Sequence, residues 1–298
     1  MSKVIVIGSV NIDYTIYVDE FPKVGETLLG KKKISSLGGK GVNQAIAIKN
    51  AGGDVSFICF VGKDECGKQI KEHIASYKLD AHINEIDNLS SGNAFIFVDK
   101  HSRNEIVVLS LANFVDDISL VEKYDSLIKE CEYIVLQNEI NEVVNEYIIK
   151  RYGIDHKIIF NPAPAKKIKD ELIPYLYFIT PNEGELALIS GEEDIEKGLD
   201  KLLNKGFKNI VVTLGEKGSI YVSKEKRIEV NSYKVNAIDT VAAGDTFLGY
   251  FVASLSKSKS IEDSLKYASA GAALSVTKNG AAPSIPHLSE VEEFLKSH

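Results

Sequence analysis

Cysteine is scarce in this chain. Three residues, Cys59, Cys66 and Cys131, occur among 298, and no C-x-x-C pair is present. An odd, unpaired set argues against a disulfide framework or a zinc site and leaves reduced core thiols. Long apolar runs are missing too. The N-terminal run spans only residues 4–7, VIVI, behind a single lysine. That is too short for a signal peptide or a membrane span, and nothing later approaches 18 apolar residues. A cytosolic protein is expected. Basic charge is outnumbered, 35 Lys and Arg against 42 Asp and Glu, for a net charge of −7. No basic block or stripe stands out, so neither nucleic acid nor an anionic membrane is an expected partner. A phosphate-bearing ligand stays open, because backbone N–H groups bind phosphate without basic side chains. The Walker A pattern is absent, and Gly8-Ser-Val-Asn-Ile-Asp13 does not fit G-x-G-x-x-G.

What is present reads as α/β. Hydrophobic content of 44% and charged content of 26% are ordinary for a globular chain. Short β-branched or aromatic runs at 4–7, 133–136, 157–160, 177–179 and 210–213 predict buried strands. Helical patterns lie between them, at 141–150 and 194–204 for example. Strands alternating with helices predict a mostly parallel sheet with helices on both faces. Two regions break the rhythm. Strand-like pieces at 15–18 and 27–34 surround Pro22 and Gly25, and 94–98 with 106–109 flank a turn at 99–104. They predict a small separate sheet, a lid over the edge of the main one. A third hairpin is predicted at 219–230. With no linker or internal repeat, the expectation is one domain over residues 1–298, with lid strands drawn from about 11–36 and 92–110.

Polar residues gather where strands end: Asn11 and Asp13, Asn138 and Glu139, Asn161, Thr180 to Glu183, and Gly215. Ligands of open α/β sheets bind beyond those ends. Two glycine-rich stretches stand out. Gly38-Gly-Lys-Gly41 precedes a helical pattern stopped at Gly52, and glycines there let backbone approach a ligand. The second stretch is DTVAAGDTF, residues 239–247. Phe247, Phe251 and Leu255 share a helical face, which puts Ala242, Ala243 and Gly244 at a helix N-terminus. The first N–H groups of a helix lack partners, and small side chains leave them open to an anion. Asp245 has two readings at this point: a helix-terminal carboxylate that satisfies amides, or a general base beside an anion site.

The pairing of GGKGVNQ, residues 38–44, with DTVAAGDTF resembles the signatures of the ribokinase-like family of sugar and nucleoside kinases. GSVNID at 8–13, FPKVGET at 21–27, NPAPA at 161–165, TPNE at 180–183, TLGEKG at 213–218 and GAAPSIP at 280–286 resemble family stretches in the same order. The likeness covers essentially the whole chain. It implies a three-layer αβα sandwich with a β-sheet lid, and phosphoryl transfer from ATP to the 5-hydroxyl of ribose. Another pentose, deoxyribose, fructose, pseudouridine or a nucleoside are the other acceptors it allows. Asp245 is the implied base, and the amides of Ala242, Ala243 and Gly244 the implied anion hole. Sugar contacts are implied for Asn11, Asp13, Gly39, Lys40, Gly41, Asn43, Glu139 and Asp245, with Ala94 and Ile96 as an apolar wall. Nucleotide contacts are implied for Asn182, Thr213, Leu214, Gly215, Glu216, Lys217, Gly218, Gly244 and Ser269. Asn182 and Glu185 match the Mg²⁺ motif. Asp239, Val241, Ser275, Lys278, Gly280 and Ser284 match a K⁺ site, mostly through backbone carbonyls. A homodimer through the lid strands is also implied.

This chain departs from the family pattern in places. Lys278 replaces an arginine, Ser275 and Ser269 replace Ala and His, and Asn93 stands where an aliphatic residue is usual. Residues 109–113 are less glycine-rich than the family segment. A sensor that has lost turnover is the reading from another class; the retained Asp245, small-residue turn and N-x-x-E argue against it. An NAD-linked oxidoreductase lacks its glycine fingerprint.

Overall fold

The computed structural model describes residues 1–101 and 103–298. Among these, the chain forms β1 (Val4–Ile7), β2 (Asn11–Tyr17), β3 (Lys32–Gly38), β4 (Val55–Gly62), β5 (Asp80–Ile86), β6 (Asn93–Val98) and β7 (Asn104–Leu109). Then come β8 (Tyr133–Gln137), β9 (Lys157–Asn161), β10 (Leu176–Ile179), β11 (Ile210–Thr213), β12 (Ser219–Val222) and β13 (Arg227–Val230). The large sheet has the order β13-β12-β11-β10-β9-β8-β1-β4-β5. Its pairings are parallel from β11 to β5; β12 and β13 add an antiparallel hairpin.

Side-chain alternation splits β1 between two cores. Val4 and Val6 pack with Ala45 and Ile46 of helix Lys40–Asn50, with Phe247 and Phe251 of helix Ala243–Ser256, and with Leu265 of helix Ile261–Ser275. Ile5 and Ile7 pack on the opposite face with Val144 and Ile148 of helix Glu142–Tyr152, and with Leu186 and Leu199. Both faces are therefore dry, and β1, β4 and β8 are buried at every position. This is a helix–sheet–helix sandwich. No helix among the described residues is long and apolar enough to cross a membrane.

The small sheet has the order β3-β2-β6-β7, with β2 and β6 parallel and the outer pairs antiparallel. Sequence reading placed its first pieces at 15–18 and 27–34. The structure starts β2 already at Asn11 and β3 only at Lys32. β2 ends at Tyr17, whose carbonyl accepts from Lys31 N–H at 2.8 Å, so residues before 31 have no strand to pair with. Residues 93–98 and 104–109 form the expected hairpin. Its turn includes Ser102, which lies outside the described residues. The hairpin at 219–230 also forms. Pro181 precedes the cap Asn182 of helix Glu183–Ser190.

Candidate active site

Three chain segments converge at the carboxyl ends of the parallel strands. The first is the turn into helix Lys40–Asn50. Gly39, at its N-cap, has φ 103°, in the left-handed region that a side chain disfavours. Gly41 lies against the backbone of Gly8 and Ser9, and a β-carbon there would stand 2.5 Å from both Gly8 C and Ser9 N. Glycine lets this helix start directly over the end of β1. Glu139, just beyond β8, ties the turn down: its Oε2 accepts from Ser9 Oγ at 2.6 Å and from Lys40 N–H at 2.9 Å.

The second segment is the turn into helix Ala243–Ser256. Ala242 has φ 59°, which costs a residue with a β-carbon on the order of 1 kcal/mol. The Ala242 carbonyl is taken by Thr246, through both its N–H (2.8 Å) and its hydroxyl (2.9 Å). Of the small-residue amides, Ala243 N–H reaches the Thr240 carbonyl at 3.3 Å. The N–H groups of Ala242 and Gly244 meet no acceptor among the described residues. Asp245, the next residue, is only 6% exposed. Its Oδ2 accepts from Asn43 Nδ2 at 3.2 Å and its Oδ1 from Gln44 Nε2 at 2.9 Å, so the two turns meet at this carboxylate.

The third segment is the small sheet. Register sets Asn11 opposite Gly38, Asp13 opposite Ala94 and Thr15 opposite Ile96. Alternation then puts Asn11, Asp13, Ala94 and Ile96 on one face. Asn11 Oδ1 accepts from Asn113 Nδ2 at 2.8 Å, which fixes its orientation. Asp13 Oδ1 is buried without a hydrogen-bond partner.

The electrostatics follow from burial. Desolvation, with Glu139 adding repulsion, pushes Asp13 from 3.8 up to about 7. Burial also raises Asp245, against the pull of Lys40 and of the Gln44 and Asn43 amides. Burial raises Glu185 as well. The Lys40 ammonium is raised mainly by Asp245, with Glu139 and Glu185 adding to the effect against burial. The Lys40 cation thus faces Asp245 and Glu185, two carboxylates that burial makes reluctant to ionise.

Further along the same rim, Asn182 and Glu185 close a capping box: Asn182 Oδ1 accepts from Glu185 N–H at 2.8 Å, and Glu185 Oε2 accepts from Asn182 N–H at 2.9 Å. Asn182 bridges to Thr213, and Thr213 N–H donates to the Pro181 carbonyl at 3.1 Å. The capping box therefore abuts the turn of residues 213–218. In that turn Leu214 N–H donates to Gly218 O (2.8 Å), and Glu216 and Lys217 sit in one short helical turn opened by Gly215. Ser269 Oγ is buried without a partner.

Asp239 links two loops, since its Oδ1 accepts from Val241 N–H at 3.0 Å and its Oδ2 from Gly280 N–H at 2.9 Å. The hydroxyls of Ser275 and Ser284 bond back to Ala272 and Ala281 carbonyls, and the Lys278 ammonium pairs with Glu290 at 2.7 Å. These three side chains are thus engaged elsewhere, and the Ser275 carbonyl accepts from Lys278 N–H at 3.1 Å. Among the described residues no group of three or more His, Cys, Asp or Glu is arranged to hold a metal.

Sequence reasoning missed Ser9, Gln44, Asn113 and Gln137. Ser9 and Gln44 carried a signal, as members of the quoted GSVNID and GGKGVNQ stretches, and Asn113 ends the segment 109–113 noted above; Gln137 carried none.

The family described as pfkB family carbohydrate kinase matches residues 1–288. A ribokinase of Haemophilus influenzae is 39% identical over 98% of this chain and 97% of its own length. The crystal structure of a ribokinase from Thermotoga maritima superimposes with a TM-score of 0.92 at 38% identity, covering 99% of this chain and 100% of the other. A ribokinase of Arabidopsis thaliana complexed with ribose and ATP superimposes with a TM-score of 0.88 at 28% identity, covering 99% of each chain.

Proposed function

The chain belongs to the pfkB family of carbohydrate kinases, and from that premise we propose that it is an ATP-dependent ribokinase, transferring the terminal phosphoryl group of ATP to the 5-hydroxyl of D-ribose. One observation carries the reading. A buried carboxylate, Asp245, stands next to two unengaged amides at a helix N-terminus and touches the helix that begins at Gly39-Lys40.

The roles follow from chemistry. Asp245 takes the proton of the 5-hydroxyl as that oxygen bonds to the terminal phosphorus of ATP and the bond to ADP breaks. The N–H groups of Ala242 and Gly244, with that of Ala243 once it leaves Thr240, stabilise the negative charge on the moving group. Asn11, Asp13, Asn43 and Glu139, with Lys40 and the backbone of Gly39 and Gly41, bind the sugar hydroxyls, which both donate and accept. Ala94 and Ile96 form the apolar wall, on a small sheet that acts as lid to the one domain. ATP lies along residues 213–218 beside Asn182, Gly244 and Ser269.

Mg²⁺ screens the phosphate charge in such reactions. The Asn182 and Glu185 oxygens that close the capping box are occupied, so these residues suit a water-mediated contact rather than direct ligation. For K⁺, the carbonyls of Asp239, Val241, Ser275, Lys278, Gly280 and Ser284 are of the right type, because a weakly hydrated monovalent cation takes oxygen ligands. The Asp239 carboxylate joins the two loops that carry most of them.

The outer lid strand β7 exposes Ile106, Val107, Val108 and Leu109 by 42–55% each. An apolar unpaired edge of this kind favours burial against a second copy, and a lid-to-lid homodimer is the arrangement we propose. Three free cysteines suit a reducing cytoplasm.

The test is ADP release with a panel of sugars and nucleosides, with K⁺ and with a large organic cation in its place. Ribose should lead the panel and K⁺ should raise its rate. A nucleoside that outruns ribose contradicts the substrate assignment, and a rate indifferent to the cation removes the K⁺ site.

A further inference from the structure

Gln44 sits in the GGKGVNQ stretch, yet no step above uses it. It is wholly buried, one residue beyond Asn43 on helix Lys40–Asn50. Its Nε2 donates to Asp245 Oδ1 at 2.9 Å and reaches Asn161 Oδ1 at 3.2 Å. Its Oε1 accepts from Gln137 Nε2 at 2.7 Å, at the end of β8. Gln137 is also wholly buried, and its own Oε1 has no hydrogen-bond partner. That oxygen fills the space a side chain on Gly8 would need, 2.1 Å from the β-carbon position.

The direction of this amide chain is set at its carboxylate end. An ionised carboxylate only accepts hydrogen bonds, so Gln44 turns its NH₂ group toward Asp245. Its carbonyl must then face Gln137, and Gln137 is left with a buried carbonyl pointing at no donor. Reversing both amides would put a carbonyl against the carboxylate. A buried acceptor without a donor is unfavourable and uncommon in folded proteins. The chain accepts one here, and Gly8 makes room for it. The return is an N–H aimed at Asp245 Oδ1, while Asn43 holds Oδ2 at 3.2 Å. Two donors on two oxygens fix the plane of the carboxylate.

We propose that Gln44 is a positioning residue: it acts through Asp245, holding the carboxylate plane against the reacting hydroxyl, and Gln137 holds Gln44. The inference rests on Asp245 being the base. Proton transfer needs the accepting oxygen within hydrogen-bond reach of the hydroxyl, and small misplacements of reacting groups lower rates strongly.

The test is steady-state kinetics of the full chain with ribose and ATP. Gln44→Met removes the donor. Gln44→Glu keeps the shape and the bond from Gln137, and carries the test if the methionine variant does not fold. Both should lower kcat by roughly 10- to 100-fold while the ribose KM stays within about twofold. Gln137→Met should lower kcat in the same direction by only a few-fold. In an Asp245→Asn background, adding Gln44→Met should leave the calorimetric ribose Kd within about twofold, because Gln44 works through the missing carboxylate. Gln44 variants with kcat close to the parent, alongside an inactive Asp245→Asn, overturn this inference and leave the base standing. An active Asp245→Asn removes both. Matching losses of kcat and ribose affinity in both Gln44 variants mark a merely structural role and also overturn it.

Discussion

Gly38 and Asp13 share one space: a β-carbon on residue 38 would stand 1.9 Å from Asp13 Oδ2. The antiparallel register makes this contact possible, with Asn11 opposite Gly38 and Asp13 opposite Ser36. The carboxylate leans diagonally across the strand pair into the gap the glycine leaves. Gly38→Ala should therefore displace Asp13 and weaken ribose binding at least tenfold by calorimetry, with the far-ultraviolet circular dichroism unchanged. Unaltered affinity in that variant would mean that Asp13 does not bind the sugar from this position.

Asp13 also links binding to stability. Burial lifts it from 3.8 to about 7, so between those values the folded chain holds a proton that the unfolded chain has released. Stability then falls as pH rises through that window, and above pH 7 the ionised group opposes folding by on the order of 4 kcal/mol at most. Asp13→Asn should raise the thermal midpoint at pH 8, raise it much less at pH 4, and abolish ribose binding. An equal change in midpoint at both pH values would refute the linkage.

The two helices that meet at Asp245 pack closely further along. A β-carbon on Gly249 would stand 2.3 Å from Ala47 Cβ and 2.9 Å from the backbone of Ala47 and Ile48. Gly249→Ala must push helix Lys40–Asn50 away from helix Ala243–Ser256. Overpacking of this kind costs about 1–3 kcal/mol, so the thermal midpoint should drop by several degrees. The kcat should fall as well, since Asn43, Gln44 and Asp245 ride on these helices. A midpoint within one degree of the parent contradicts the packing described here.

These relationships were unevenly legible in the sequence. Runs such as VIVI and YIVL read as strands because both faces of a parallel sheet are dry. The strands β4 and β5 did not read; polar residues explain this for β5, DAHINEI, whereas β4 carries an apolar run, FICFV at 57–61, of the same kind as VIVI. Ser56 of β4 satisfies its hydroxyl on Asp80 of β5 at 2.6 Å, and the buried Asn84 of β5 donates to the Cys59 carbonyl at 3.1 Å. Such pairs look like loop residues until the strands meet. The start of β2 was hidden similarly, because Asn11 and Asp13 are polar yet turned away from solvent, Asn11 against Asn113 and Asp13 with a buried Oδ1. The glycine-rich turns and Asp245 were visible from local spacing and family likeness. The amide chain behind them was not: Gln44 and Gln137 lie 93 residues apart, and Gln44 and Asp245 lie 201 apart. No local pattern encodes a contact that only the sheet order creates.

In the proposed reaction Asp245 removes the proton while the neighbouring amides take the charge. The most direct measurement pairs turnover with binding in Asp245→Asn, which keeps the size of the side chain and removes its basicity. The kcat with ribose and ATP should fall by roughly 10²- to 10⁴-fold while the calorimetric ribose Kd moves by less than about tenfold. Turnover within tenfold of the parent would contradict the account, whatever the affinity.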